Sequence, residues 1–207
     1  MKISHTKGRG KKIHLLIDEE YRITTDIDFW AENYFKDGQE ITEEQWQELT
    51  DKINYKKAID KCYDLLSRRD HSVKELRTKL LRTVDEKNTD RAIEKMIDYG
   101  YLDDEKYARN LVKYLSESRK MSKSFIKQEM YKRGIAPDII SDTLEETEID
   151  NTDTLVDLIL TKYRNKLKAE DGYKEDGYKK VTSSLMRKGF SYYDIKSAFN
   201  RIENGEY

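Results

Sequence analysis

Ala108-Arg109-Asn110-Leu111-Val112-Lys113-Tyr114-Leu115 places apolar side chains at 108, 111, 112 and 115, the i, i+3, i+4, i+7 spacing that gathers one face of an α-helix. The same spacing returns at Ile59, Cys62, Tyr63 and Leu66, and again at Val156, Ile159, Leu160 and Tyr163. Behind each stripe follows an apolar pair four residues apart: Leu76 and Leu80, Ile126 and Met130, Val181 and Leu185. Gly134 and Gly189 then stand where a left-handed residue ends a helix, while the first copy has Val84. A third helix closes each copy, marked by Ile93, Met96 and Ile97, by Ile140 and Leu144, and by Ile195, Ala198, Phe199 and Ile202. The chain therefore reads as a three-helix unit of about fifty residues, met three times.

Caps support this parsing independently of the stripes. Ser72-Val73-Lys74-Glu75 is a capping box, and Ser191-Tyr192-Tyr193-Asp194 resembles one. Pro137 suits a first helical position, where no N–H is needed. Upstream, Lys12–Ile17 and Tyr21–Thr24 flank Asp18-Glu19-Glu20 and read as a β-hairpin, followed by short helices around Ile27–Phe35 and Glu43–Lys52. Glu170–Tyr178, which repeats Glu-Asp-Gly-Tyr, reads as an exposed loop inside the third unit.

Composition narrows the class. The 207 residues are 36% hydrophobic and 39% charged, against roughly 25% charged in an average soluble domain, so core is scarce relative to surface. The expected fold class is mostly α: tandem three-helix-bundle repeats forming a curved, elongated solenoid, preceded by a small N-terminal β-hairpin and helical segment. The boundaries fall at 1–52, 53–102, 103–150 and 151–207. No apolar run reaches the ~18–20 residues of a membrane span, and the first residues lead into basic ones rather than a signal-peptide core, so a cytoplasmic protein is expected. Cys62 is the single cysteine and lies in a helical stripe, which argues against zinc, redox or disulfide chemistry. The net charge of −1 means that any basic face must be local. No glycine-rich phosphate loop, nucleophile with its base, or metal set is present, so neither catalysis nor a cofactor is expected.

Gly100-Tyr101-Leu102-Asp103-Asp104, with Tyr107-Ala108 three residues on, resembles the signature of the RecX family of bacterial regulatory proteins. Leu66-Ser67-Arg68-Arg69 before Ser72-x-x-Glu75-Leu76 looks like that family's first-repeat pattern, and Arg133-Gly134 and Arg187-Lys188-Gly189-Phe190 resemble the ends of second helices in its later repeats. The resemblance covers essentially the whole chain and departs from the family pattern at Val84 and at the acidic loop of the third unit. It implies tandem three-helix repeats and a protein that binds the RecA recombinase filament and restrains it. The signature also has a local physical account. Asp103 or Asp104 can cap the helix carrying Tyr107, Gly100 can end the previous one, and Tyr101 and Leu102 can pack between consecutive repeats. A metal-binding reading of the two carboxylates fails for want of a third ligand nearby.

Alignment of the copies on Leu76, Ile126 and Val181 gives a second signal. Arg69, Arg119 and Lys174 lie seven residues before the anchors, and Arg82, Lys132 and Arg187 six residues after. Both positions are basic in all three copies. Helix C-termini favour cations through the macrodipole, and a repeated cationic row also suits phosphates or an acidic protein groove. Arg77 and Lys127 extend the row, which Thr182 breaks in the third copy. Tyr63 and Tyr163 fit core positions, whereas Tyr173, Tyr178, Tyr192 and Tyr193 cluster near the third loop, where stacking or interface use is open. Two functions stay in view: a monomeric regulator on the RecA filament, and a direct single- or double-stranded DNA-binding repeat module.

Overall fold

The computed structural model describes residues 1–169, 172–173 and 175–205. The chain forms two compact units, one of Met1–His71 with Leu76–Leu102, the other of Ser72–Glu75 with the chain from Asp103 onward.

The first unit opens on a four-stranded antiparallel sheet in the order β3 (Glu20–Asp26), β2 (Lys12–Ile17), β1 (Lys2–Lys7), β4 (Gln39–Glu40). The expected hairpin is β2–β3, its two-residue turn held by Asp18 and Glu19, both with positive φ, the twist that suits a hairpin. Strand β1 escaped the sequence reading because only Ile3 of its six residues is buried, opposite Ile17. Ile13, Leu15 and Ile17 alternate inward and meet Phe29 and Trp30 of α1 (Ile27–Glu32), which Asp26 caps through the Phe29 N–H.

Helix α2 runs unbroken from Glu43 to Leu66, joining what the sequence suggested were a short helix and the first helix of the repeat. Neither Gly nor Pro interrupts it, and Thr42 with Gln45 forms a full capping box at its start. The N-terminal half faces the sheet with Leu49 and Ile53, and the C-terminal half buries Ala58 and Cys62. The buried stripe is thus displaced from the expected one, and Tyr63 is exposed. Burial pushes the Cys62 thiol up to about 11, which disfavours the thiolate. Helices α3 (Val73–Leu80) and α4 (Glu86–Asp98) follow, with Leu76, Leu80, Ala92, Ile93 and Met96 buried; Ile97, expected inside, is exposed.

The second unit holds two further sets. The first comprises α5 (Asp104–Lys113), a π-helical turn (Tyr114–Ser118), α6 (Lys123–Lys132) and α7 (Pro137–Glu146). The second comprises α8 (Asn151–Leu158), another π-helical turn (Ile159–Tyr163), α9 (Arg164–Leu167), the short strands β5 (Lys168–Ala169) and β6 (Gly172–Tyr173), α10 (Glu175–Met186) and α11 (Tyr192–Glu203). The expected stripes supply their cores: Ala108, Leu111, Val112 and Leu115 with Ile126 and Met130, then Val156, Ile159 and Tyr163 with Val181 and Leu185. Glu170, Asp171 and Lys174 lie outside the described residues. Glu175–Tyr178, expected in a loop, instead open α10, where acidic residues favour the positive end of a helix. The Tyr178 ring packs 4.7 Å from that of Phe199, so it is core rather than platform, while Tyr192 and Tyr193 are exposed.

Candidate functional site

The two signature carboxylates serve different donors. Asp103 caps α5, accepting the Lys106 N–H at 2.8 Å, and Asp104 accepts the Val73 N–H at 2.9 Å. Burial raises the Asp104 carboxyl above its ordinary value, with the Val73 bond opposing and the Asp103 and Glu75 charges adding. Gly100 ends α4 at φ +71° and Leu102 is buried, but Tyr101 is exposed and rests edge-on against Tyr63. The motif is a structural joint.

That joint is one half of a clasp that occurs twice in the second unit. In the first clasp, the Ser72 hydroxyl donates to the carbonyl of Arg133, and Val73 N–H to Asp104. In the second, Ser122 N–H donates to the carbonyl of Lys188 at 3.1 Å, and Lys123 N–H to Asn151 at 3.0 Å. Asp104 and Asn151 hold the same place, each the first residue of its helix after an aspartate cap. The glycine after each carbonyl has positive φ, +76° at Gly134 and +87° at Gly189. A Cβ on Gly189 would lie 2.5 Å from that of Phe125 and 2.6 Å from the Ser122 hydroxyl oxygen. These glycines are needed for conformation and for close approach alike.

Charge separates the two clasps. In the first, the Arg133 guanidinium meets Glu129 at 3.0 Å and the Tyr107 hydroxyl, which donates to Glu75 at 3.1 Å. In the second, Lys188 stands where Arg133 stood, but the places of Glu75 and Glu129 are taken by Phe125 and Ser184. Its ammonium donates instead to the Arg119 carbonyl. Burial, then repulsion from Lys162 and Arg119, lowers the Lys188 pKa. Arg119, Lys162, Arg187 and Lys188 line one cleft of about 410 Å³ with Tyr163 and Ser184, whose hydroxyls bond at 2.8 Å. None of its lining residues, among those described, is acidic.

The remaining aligned cations are placed as follows. Arg77 is consumed by Asp90 at 2.8 Å and Glu86 at 2.6 Å. Arg69 is exposed and donates to the Asp70 carbonyl, and Arg82 is exposed in the turn after α3. Lys127 lines a separate cleft with Tyr131, Ser141 and Glu145. Lys132 is 80% exposed, 3.9 Å from Glu129, and Lys174 lies outside the described residues. The structure therefore brings Arg119 and Arg187 together and adds Lys162 and Lys188, which the alignment passed over. Lys188 has a basic counterpart in Arg133 but meets Thr83 in the first copy, and Lys162 sits in a π-helical turn that disturbs the register. Among the described residues, no group of three or more His, Cys, Asp or Glu could hold a metal, and no helix is long and apolar enough to cross a membrane.

Comparison with known proteins places these features in a family. Residues 58–96 match the model of the RecX first three-helix domain and residues 103–144 that of the second. The regulatory protein RecX of Clostridioides difficile (strain 630) is 29% identical over 203 residues, covering 98% of this chain and 95% of the relative. That of Chlorobium phaeobacteroides (strain BS1) is 31% identical over 148 residues, covering 71% and 94%. Among solved structures, a regulatory protein RecX aligns over 95% of this chain and 98% of its own at a TM-score of 0.58 and 21% identity. RecX from Lactobacillus salivarius aligns over 72% and 97% at 0.57 and 24%, so both speak for the fold. With the signature residues capping α5 and holding the Val73 N–H, and this likeness spanning nearly the full length, the chain belongs to the RecX family of regulatory proteins.

Proposed function

We propose that this protein regulates homologous recombination by binding the RecA filament and restraining it, through exposed cations at the recurring helix ends. In this reading it works as a cytoplasmic monomer without catalysis or cofactor, and the filament presents both protein and DNA to it. Its segments are 1–52, 53–102, 103–150 and 151–207, with α2 continuous across the first boundary. The observation that supports the reading is the state of the aligned cations: Arg82, Arg119 and Arg187 form no ion pair among the described residues, unlike Arg77. A charge left unpaired by its own fold is available to an anionic partner.

The test is a quadruple variant, Arg82→Glu, Arg119→Glu, Lys132→Glu and Arg187→Glu, checked for native helicity and assayed for inhibition of RecA strand exchange. Inhibition should weaken by about 10²-fold or more in protein concentration, as four lost contacts of ~0–1 kcal/mol each allow. Undiminished inhibition would show the cations to be helix-end electrostatics only. Tighter binding to RecA-coated single strands than to bare DNA is expected as well; equal binding would favour a plain DNA module.

A further inference from the structure

We propose that the cleft formed by Arg119, Lys162, Arg187 and Lys188 is a phosphate-binding site. It goes beyond the filament reading, which stands or falls separately. Both clasps bring a basic residue, Arg133 or Lys188, against the first turn of another helix, its carbonyl accepting from the Ser72 hydroxyl in one and from the Ser122 N–H in the other. The first clasp supplies its own counter-charge, Glu129 on the guanidinium and Glu75 on Tyr107. The second has Ser184 and Phe125 at those places, and three more cations converge on it.

Four cations around one opening repel one another, and an arrangement that is balanced in one copy is left to be balanced by a ligand in the other. The chemistry of the lining fits a tetrahedral oxyanion. Two guanidiniums offer forked donors and two ammoniums point charges, while the bonded Tyr163–Ser184 hydroxyl pair leaves one neutral O–H donor. Both π-helical turns reach the site, the first ending at Ser118 beside Arg119 and the second carrying Lys162 and Tyr163. Such turns recur at functional sites because they re-aim side chains without breaking the helix. The burial and repulsion that lower the Lys188 pKa are what a phosphate dianion would relieve. The phosphate can come from a nucleic-acid backbone or from a small phosphate ester, and the two sources are separable.

The experiment contains no recombinase, so its outcome is independent of the filament reading. Thermal unfolding is measured in inorganic phosphate and in chloride at matched ionic strength. The unvaried protein and Lys7→Gln, an exposed residue of β1 outside the cleft, should melt higher in phosphate. A Lys162→Gln, Arg187→Gln double variant should lose that increment. So should Ser184→Glu, which restores the carboxylate of the first clasp and should also raise the melting temperature in chloride. Binding of a labelled oligo-dT strand is then followed against salt. A slope reduced by about 1.4 in the double variant, the value for two backbone contacts on a single strand, assigns the site to nucleic acid. An unchanged slope beside a lost phosphate increment assigns it to a small phosphate ester. Absence of a phosphate increment in the unvaried protein, or its persistence in the double variant, overturns the site.

Discussion

Asp104 spends its carboxylate on one backbone donor, and Asn151 performs the same task in the next clasp with a neutral amide. Exchanging the two chemistries is therefore a clean test. Because burial raises the Asp104 carboxyl, the native state holds its proton more tightly than the unfolded chain does. Stability is then lost as pH rises from the ordinary value of 3.8 through the raised one. Asp104→Asn keeps the acceptor and escapes this loss, so it should melt at or above the unvaried protein at pH 7, with the gap closing below pH 3.8. Asp104→Ala leaves the Val73 N–H unpaired and should cost about 1–3 kcal/mol by denaturant unfolding. A similar contrast applies to glycine. Gly189→Ala meets both positive φ and the close approach of Phe125, and should cost about 2 kcal/mol or more. Gly38→Ala meets positive φ alone, with no atom within 4 Å, and should cost about half as much.

At the scale of elements, each three-helix set rests on few large side chains. Leu76 in α3 and Leu185 in α10 are fully buried and occupy the same stripe in their copies. Leu76→Ala or Leu185→Ala should cost about 2–5 kcal/mol, measured as a shift in urea midpoint at constant slope. A cost under 1 kcal/mol would mean that the set packs elsewhere. The exposed face of the same helices behaves otherwise. Arg77, one residue after Leu76, is held by Asp90 and Glu86, whereas Lys132 near the end of α6 has a single carboxylate at 3.9 Å. Helix position alone puts a cation at a C-terminus; the neighbouring helix decides whether it is spent there.

Over the whole molecule, binding to a polymer is a sum of small terms. A single reversal such as Arg187→Glu removes at most ~1 kcal/mol at an exposed position and should weaken inhibition only about fivefold. Contacts that act together multiply through effective concentration, which is why the quadruple variant should fail far beyond any single one. If one reversal alone abolished inhibition, the distributed reading would give way to a single dominant contact.

Sequence alone determined the helices, their caps and the threefold pattern, because these depend on side chains three or four residues apart. The Ser72 and Ser191 caps, Pro137, and the cores of the second and third sets are all local statements of that kind. The departure at Val84 also became intelligible only in three dimensions. Gly134 and Gly189 are small because the first turn of another helix presses on them, and position 84, buried within the first unit, belongs to neither clasp. Tertiary structure likewise decided the pairing of the polar strand β1, the displaced buried face of α2 and the exposure of Tyr101 and Ile97. Above all it decided which cations remain unpaired. Lys188 reaches the Arg119 carbonyl across 69 residues, and the loss of Glu75 and Glu129 in favour of Phe125 and Ser184 has meaning only once the clasp shows which residues face each other. Charge pairing acts through space, and the chain order does not record it.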